Sequence, residues 1–212
     1  MSLKSRLIVG ISGASGAVYG VRLLQVLKDL PVETHLVMSK AAEMTLAYET
    51  DLKVKDVRAL ADHWYPVSDV GAAISSGSFQ TMGMIIAPCS VRSMAEIATG
   101  VTTNLLTRAA DVVLKERRRL VLMLRESPLH TGHLRNLTAL SEMGAIIAPP
   151  LPAFYTRPHT VEEIVDHSVG RVLDLLGIES GLVKRWGEAP PRPARPMKPG
   201  ERPARPRPKG RR

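Results

Sequence analysis

Residues 6–20 read RLIVGISGASGAVYG, and this stretch contains the strand, the turn and the helix start that decide the fold. The apolar run Arg6–Ser12 predicts a buried strand, and the pattern of Gly16–Leu30 predicts a helix behind it. Short apolar runs and helical patterns then alternate along the chain. This alternation is typical of a parallel sheet covered by helices on both faces.

The remaining elements extend the same alternation. Four further strands are predicted, at Glu33–Met38, Met84–Ala87, Leu120–Leu124 and Ala145–Ala148. Further helices are predicted at Ala41–Thr50, Lys53–His63, Arg92–Ala98, Thr107–Arg117, Leu134–Met143 and Val161–Leu176. We therefore predict an α/β protein with a three-layer, Rossmann-like or flavodoxin-like fold around a central parallel sheet.

The chain is basic overall, but its charge is unevenly distributed. It has 29 Lys and Arg against 20 Asp and Glu, a formal charge of +9. Residues 189–212 hold nine of the basic residues, one acidic residue and eight of the 16 prolines. The remaining body is nearly neutral, which argues against nucleic-acid binding. We predict one domain over residues 1–188 and a disordered, basic, proline-rich tail over residues 189–212.

The cysteine count and the hydropathy pattern predict the compartment. Cys89 is the only cysteine, so the chain has no intrachain disulfide, which fits a reducing compartment. No apolar run approaches the roughly 18 residues that span a bilayer. The first apolar run ends at Gly10, short of the roughly 7–15 residues of a signal-peptide core. We predict a cytoplasmic protein without a membrane span.

The turn after the first strand favours a bound anion over the common glycine-motif ligands. Its small residues let a ligand approach the backbone, and the following helix start offers free N–H groups. The dinucleotide motif G-x-G-x-x-G would need glycine at Ile11, and strand two ends in Ser39 and Lys40 without an acidic ribose partner. The serine-hydrolase motif G-x-S-x-G is absent as well. We therefore interpret the turn as an anion cradle.

Serine hydroxyls recur at the ends of the other predicted strands. Ser39 follows strand two, and Ser90 and Ser93 follow strand three. Each serine alone is most simply a helix N-cap. Because the carboxyl ends of parallel strands lie at one edge, the set together predicts a site for a mononucleotide such as a flavin.

Arg125 and Glu126 directly follow the fourth predicted apolar strand. A permanent cation and a titratable carboxyl at the binding edge suit phosphate binding and proton transfer. The alternative is a surface ion pair of little energetic value. This pair is the main catalytic candidate that the residues alone suggest.

Two other groups of reactive residues are interpreted as structural. Cys89 ends an apolar strand and lacks an activating base, so we expect a buried residue and not a nucleophile. His130 and His133 have no Cys or carboxylate partner nearby in the sequence. No metal site is predicted from them.

Nine ordered motifs between residues 5 and 188 closely resemble the UbiX flavin prenyltransferases. The motifs are Gly10–Gly20, Ser39–Ala42, Tyr48–Asp51, Ala87–Ser90, Asn104–Leu105 with Arg108–Asp111, Lys115–Arg118, Arg125–Pro128, Phe154–Tyr155 and Arg185–Glu188. The resemblance implies a flavin-binding, Rossmann-like homododecamer. It also implies transfer of a dimethylallyl group from dimethylallyl monophosphate to N5 and C6 of reduced FMN. The product, prenylated FMN, would serve a UbiD-type decarboxylase.

The resemblance also implies roles for individual residues. The FMN-binding set would be Gly13, Ala14, Ser15, Ser39, Ser90, Val91, Arg92, Ser93 and Arg125. The dimethylallyl phosphate would be held by Arg108, Lys115, Tyr155, Arg171 and Trp186, some of them from neighbouring subunits. The catalytic set would be Ser15, Glu49, Lys115, Glu126 and Tyr155. No metal is expected, because cationic side chains would stabilise the departing phosphate.

Three alternatives remain open. One is an FMN-dependent decarboxylase of the same superfamily, although the Pro-x-Met-Asn motif of cysteine decarboxylases is absent. A second is a non-catalytic flavin-binding protein, which would not need Lys115, Arg125, Glu126 and Tyr155 together. The third is a nucleic-acid binder that acts through the basic tail.

Overall fold

The computed structural model describes residues 5–185 and Gly187 of the 212-residue chain. Its strands are β1 (Ser5–Ile11), β2 (Val32–Met38), β3 (His63–Tyr65), β4 (Gly83–Cys89), β5 (Arg119–Leu124) and β6 (Ile146–Ile147). Its α-helices are α1 (Ala17–Lys28), α2 (Lys40–Glu49), α3 (Val54–Arg58), α4 (Val91–Thr99), α5 (Leu105–Lys115), α6 (Thr131–Glu142) and α7 (Val161–Leu175). Two short 3₁₀ turns lie at Ala73–Ser75 and Phe154–Thr156. Trp186 and the predicted tail fall outside the described residues.

All described strands form one sheet in the order β3-β2-β1-β4-β5-β6, and every neighbouring pair is parallel. The strand order reverses direction between β1 and β4. In open parallel sheets, ligands bind at the carboxyl ends of the strands beside such a reversal. The predicted α/β fold with a central parallel sheet is confirmed.

Helices cover both faces of the sheet, and each face has its own apolar core. One core joins side chains of α1, α2 and α7 to the strand residues Leu7 and Val9. The other joins α4, α5 and α6 to Ile8. Because successive strand residues point to opposite faces, the continuous apolar run of β1 fills both cores.

The predicted helix Lys53–His63 is wrong in its second half. The helix α3 ends at Arg58, and the chain then forms the edge strand β3, in which His63 pairs with His35 of β2. Trp64 and Tyr65 favour a strand, but three residues are too few to give a period-2 signal. His63 therefore lies beside β2, next to His35.

No described helix is both long and apolar enough to cross a membrane. The first helix packs on the sheet through Gly20. A methyl group at that position would lie 2.3 Å from the carbonyl oxygen of Ala87 and 2.8 Å from Cδ1 of Ile11. Only a hydrogen atom fits, because the nearer contact is with backbone and cannot move easily.

We predict that Gly20→Ala destabilises the protein by about 1–3 kcal/mol, because the added methyl forces α1 away from the sheet. Urea unfolding at equilibrium measures the change. Gly71→Ala is the matched control, since its methyl would be 3.7 Å from the nearest atom, the Oδ1 atom of Asp69. The control should change stability by less than about 0.5 kcal/mol. Equal stability of Gly20→Ala and wild type would contradict the packing described.

Candidate active site

Ser12 joins the ends of β1 and β4 at the reversal of the strand order. Its buried hydroxyl donates to the carbonyl oxygen of Pro88 at 3.0 Å and accepts from the backbone N–H of Ser90 at 2.7 Å. Its own N–H donates to the same Pro88 carbonyl at 3.1 Å. These bonds fix the β1–α1 turn against the start of α4. No local pattern indicates this role, because a serine that is buried in the fold cannot be told from an exposed one by its sequence context.

Gly13 lets the β1–α1 turn pack against α2. A methyl group at Gly13 would lie 2.2 Å from Cβ of Ala41, so a larger residue cannot be placed there without moving α2. Gly16 then precedes α1 with a positive φ of 103°, a conformation that favours glycine. The two glycines leave Ala14 and Ser15 at the tip of the turn. Ser15 is exposed.

The carboxylate of Glu49, the last residue of α2, occupies the N-terminus of α1. Its Oε2 atom accepts from the N–H groups of Gly16 and Ala17, each at 2.9 Å, and Oε1 accepts from Gly16 at 3.1 Å. We predicted that a ligand anion binds at these N–H groups, and this part of the anion-cradle interpretation is wrong. The protein's own carboxylate fills the place that we assigned to a ligand anion.

The surroundings of Glu49 favour its charged form. Burial alone would raise its pKa, but hydrogen bonds from the Ser15 hydroxyl and from the N–H groups of Ala17 and Gly16 outweigh burial. The positive charge of Arg125 acts in the same direction, and the pKa lies below its ordinary value. At neutral pH, Glu49 is thus a carboxylate that can accept a proton or a hydrogen bond but cannot donate one.

Arg125 is held at the same edge by its backbone. Its N–H donates to the carbonyl oxygen of Cys89 at 3.1 Å, which places it directly after β5 and beside the end of β4. Its side chain is exposed. Its positive charge lowers the pKa of Glu49. Burial raises the pKa of Tyr19, and the charge of Arg125 opposes that rise. The structure thus brings together Ser15, Glu49 and Arg125, which come from three separate segments. Glu126 follows, and its Oε1 accepts from the N–H of Ser127 at 3.0 Å.

Ser39 and Ser90 cap the helices that follow β2 and β4. Ser39 Oγ accepts from the N–H of Ala42 at 3.0 Å, and Ser90 Oγ accepts from the N–H of Ser93 at 3.2 Å. Ser90 also donates to Ser93 Oγ at 3.2 Å. The N-cap interpretation is correct for both serines. No acceptor for the Ser39 hydroxyl hydrogen occurs within residues 5–185, so this hydroxyl can donate to a ligand.

Val91 and Arg92 form the first turn of α4. The Arg92 side chain is 82% exposed, and its Nε atom donates to Glu96 Oε1 at 2.9 Å, one helical turn away. Arg92 is thus placed at the predicted edge, but its guanidinium points along the outer surface of α4. Its assignment to the flavin stays a prediction.

Tyr155 and Arg171 lie together on the loop after β6 and on α7. The Tyr155 hydroxyl is 3.2 Å from Nε2 of His167, and the two rings meet edge to face. Burial, and then the charge of Arg171, lower the pKa of His167, so the imidazole is neutral at neutral pH. Arg171 pairs with Asp174 at 2.8 Å. No sequence pattern indicates His167, because its contact with Tyr155 depends on the fold of the β6–α7 loop.

A groove of about 190 Å³ lies beside this second group. The loop Ala148–Leu151 lines one side, and His167 and Arg171 line the other. The groove has a cation at its wall and exposed apolar side chains nearby, including Leu151 and Phe154, each 75% exposed. An isolated chain leaves this apolar surface uncovered.

Lys115 lies away from Arg125 within one chain. Arg108, in the first turn of α5, pairs with Asp111 at 2.9 Å, and Lys115 pairs with Glu116 at the end of the helix. Lys115 therefore lies next to the start of β5, whereas Arg125 follows its end. The six residues of β5 separate these edges by about 17 Å. One chain alone does not bring Lys115 to Arg125.

The two groups that we interpreted as structural are structural. Cys89 is fully buried, and burial raises the pKa of its thiol to about 12, so it is not a nucleophile. His130 Nδ1 accepts from the N–H groups of Gly132 and His133 and caps α6. Its ring stacks on that of His133 at 3.6 Å.

The sheet and the polar groups at its carboxyl edge define a nucleotide-binding α/β protein, and comparison with known families agrees. A family model described as Flavoprotein matches residues 1–173. Flavin prenyltransferase UbiX of Escherichia coli K12 is 58% identical over 184 residues, which cover 85% of this chain and 97% of that protein. The chain belongs to the UbiX family of flavin prenyltransferases.

Two solved structures support the same assignment. AnUbiX (PadA1), in complex with FMN and dimethylallyl pyrophosphate, has a TM-score of 0.87 at 48% identity and covers 89% of this chain and 100% of its own. The dodecameric FMN-dependent UbiX-like decarboxylase from Escherichia coli O157:H7 has a TM-score of 0.84 at 55% identity. It covers 85% of this chain and 98% of its own.

We predict that Glu49→Gln lowers the free energy of unfolding at pH 7 by about 1 kcal/mol, as the loss of a helix cap does. A carboxylate with a lowered pKa contributes stability above its unfolded-state pKa and loses it as pH falls through the folded-state pKa. The difference between wild type and variant should therefore shrink below about pH 4.5, the ordinary value. Urea unfolding at a series of pH values measures it.

Glu179→Gln is the control for that experiment, because Glu179 is an exposed carboxylate far along the chain from α1. It should leave stability unchanged at every pH. A constant difference between Glu49→Gln and wild type from pH 7 to pH 3 would show that the charge of Glu49 does not stabilise α1.

Proposed function

We propose that this chain transfers a dimethylallyl group from dimethylallyl monophosphate to N5 and C6 of reduced FMN and so forms prenylated FMN. The observation that carries the proposal is the 58% identity to a named flavin prenyltransferase over nearly the whole of that protein. The grouping of Ser15, Glu49 and Arg125 at the carboxyl edge supports it, since fold alone would not define an activity.

The donor set at the carboxyl edge fits a flavin mononucleotide. Hydroxyls at Ser15, Ser39 and Ser90 offer short hydrogen bonds, and the exposed guanidinium of Arg125 offers a permanent charge for a phosphate or a polar ring edge. We assign FMN binding to these residues together with the neighbouring backbone. Reduced FMN supplies the electron-rich nitrogen and carbon that bond to the prenyl group.

Two carboxylates at this edge can manage protons. Bond formation at N5 displaces the N5 proton. Ring closure at C6 consumes the prenyl double bond, which takes up one proton, while C6 releases one; Glu49 is ionised and able to accept a proton through Ser15 or directly. Glu126 follows Arg125 and is exposed toward the same edge. We assign proton removal to this pair. The charge of Arg125 lowers the pKa of Glu49, so its carboxylate stays ionised and can accept a proton.

The donor's C–O bond breaks with its electron pair on the departing phosphate. Arg171 and the Tyr155 hydroxyl suit the phosphate. Both are linked to the neutral His167, which Tyr155 contacts at 3.2 Å and whose pKa the charge of Arg171 lowers. Arg108 and Lys115 add positive charge that offsets the developing anion. This arrangement does the work that a magnesium ion does for other phosphates.

We further propose that Arg108 and Lys115 act from a second copy of the chain. Lys115 lies about 17 Å from the Arg125 edge of its own chain, so it must reach the edge of another. A relative at 55% identity is dodecameric. We propose the same homododecamer, a cytoplasmic location, and a UbiD-type decarboxylase as the recipient of the product.

A decarboxylase is the second candidate, because one similar structure carries that description. The two activities differ in what happens to the flavin: a prenyltransferase changes its mass, and a decarboxylase returns it unchanged. A flavin-storage protein would also leave the flavin unchanged, with no turnover of any substrate. The mass of the flavin therefore separates prenyl transfer from the other two, and turnover of a carboxylic acid substrate separates a decarboxylase from a storage protein.

We predict that the purified protein, incubated without oxygen with reduced FMN and dimethylallyl monophosphate, adds one dimethylallyl unit to the flavin. Mass spectrometry of the extracted flavin measures the gain, and a parallel arm with the diphosphate identifies the donor. Glu126→Gln and Tyr155→Phe should each lower turnover by about 100-fold or more, as expected for the loss of acid–base or positioning groups. FMN affinity should change less than about threefold.

Cys89→Ala is the control variant, because the buried thiol has no role in the chemistry. It should keep wild-type turnover. An unchanged flavin with both donors would refute prenyl transfer, and a Tyr155→Phe variant with full turnover would refute the role of the phenol.

A further inference from the structure

Three potential metal ligands meet at the edge of the sheet, away from the candidate active site. They are Glu33 and His35 of β2 and His63 of β3. Their ligand atoms all lie within 4.8 Å of one another, and no other such group occurs among the described residues. Glu33 lies near the start of β2 and His63 is the first residue of β3, so the cluster is remote from the carboxyl edge. The site is empty.

We propose that Glu33, His35 and His63 form a binding site for a divalent transition metal, with Zn²⁺ as the best fit. Two imidazoles and one carboxylate are a usual zinc ligand set, with water in the fourth position. The proposal does not depend on the proposed prenyl transfer.

The distances in the cluster suit tetrahedral coordination. Bonds of about 2.0–2.1 Å at tetrahedral angles place two ligand atoms about 3.3 Å apart. Nε2 of His35 lies 3.0 Å from Glu33 Oε1, and Nε2 of His63 lies 3.6 Å from the same atom. Both values lie within 0.3 Å of that spacing. The rings of His35 and His63 are stacked, with centroids 4.8 Å apart and planes at 17°, so the exposed His63 ring would have to turn to direct its nitrogen at a shared ion.

A hydrogen-bond partner supports His35 as a ligand. Its Nδ1 atom is 2.9 Å from the Tyr65 hydroxyl, which can accept a hydrogen bond from Nδ1. That tautomer leaves the lone pair of Nε2 directed at the site. A metal-bound histidine commonly donates its other ring N–H to an outer partner in this way. The His35 side chain is 3% exposed and that of His63 is 53% exposed, so the ion has a rigid ligand and an open approach.

The positive charge of Arg6 would weaken metal binding at this site, and its removal therefore tests the proposal. Its Nε atom donates to Glu33 Oε1 at 3.2 Å, and its guanidinium lies 4.7 Å from the Phe79 ring. A fixed positive charge beside the carboxylate weakens cation binding. The metal, once bound, would connect β3 to β2 and stabilise this short edge strand.

The test is calorimetric titration of Zn²⁺ into full-length, chelator-treated protein without an affinity tag. We expect one ion per chain and a higher melting temperature with Zn²⁺, because a ligand of the folded state stabilises it. His63→Ala should weaken the Kd by more than about 100-fold and Tyr65→Phe by about 10-fold. Arg6→Gln should tighten the Kd, since it removes the competing charge. Co²⁺ should give visible absorption typical of four-coordinate geometry.

His133→Ala and His159→Ala are the controls, since neither histidine lies in the cluster. Both should bind Zn²⁺ as the wild type does, and circular dichroism should show that every variant is folded. The proposal is overturned if the wild type binds no Zn²⁺ saturably, or if His63→Ala binds it unchanged. It is also overturned if His133→Ala abolishes binding, or if Arg6→Gln fails to tighten it.

Discussion

The hydrogen bonds of Ser12 hold the candidate site together, because they join β1 to β4 where the strand order reverses. Every other part of the site is placed relative to this junction. The β1–α1 turn leaves it on one side with Ser15 at its tip, and α4 starts from it on the other side with Ser90 as the cap. Because the sheet is parallel, Arg125 at the carboxyl end of β5 lies at the same edge as these two turns. The β1–β4 ladder joins the same two strands, and the bonds of Ser12 extend this connection into the turns that carry the site.

The electrostatics of this edge depend on one carboxylate of the protein, that of Glu49. Glu49 satisfies the first N–H groups of α1, and its charge is stabilised by the same helix start that would otherwise attract a phosphate. Arg125 is then the exposed cation that a ligand anion can reach. In the function proposed above, the arrangement separates two tasks: the Glu49 carboxylate would take up a proton, and the Arg125 guanidinium would bind the ligand's negative charge. The buried and neutral groups nearby, such as Cys89, have no part in it.

Sequence patterns predicted the sheet well where strands are long and buried on both faces, as in β1, β4 and β5. They failed at β3, because three residues of an edge strand carry no periodicity, and the helix predicted through His63 hid its neighbour His35. Parallel topology also explains why Ser39 and Arg125 were correctly placed at one edge. Roles that arise from contacts distant in sequence, such as the bonds of Ser12 and the Tyr155–His167 pair, had no local signal. The separation of Lys115 from Arg125 also required the fold, since it depends on the direction of α5.

We propose that a complete site combines the carboxyl edge of one chain with α5 of another. Co-expression of Glu126→Gln and Lys115→Ala chains with different tags, followed by purification of mixed assemblies, tests this arrangement. Each variant alone should be inactive. If Lys115 acts from a second chain, random mixing gives about a quarter of the sites both intact residues, and prenyl transfer should return to about a quarter of the wild-type rate. Mixed assemblies as inactive as either parent would contradict a shared site and would place Lys115 in the chemistry of its own chain or outside it.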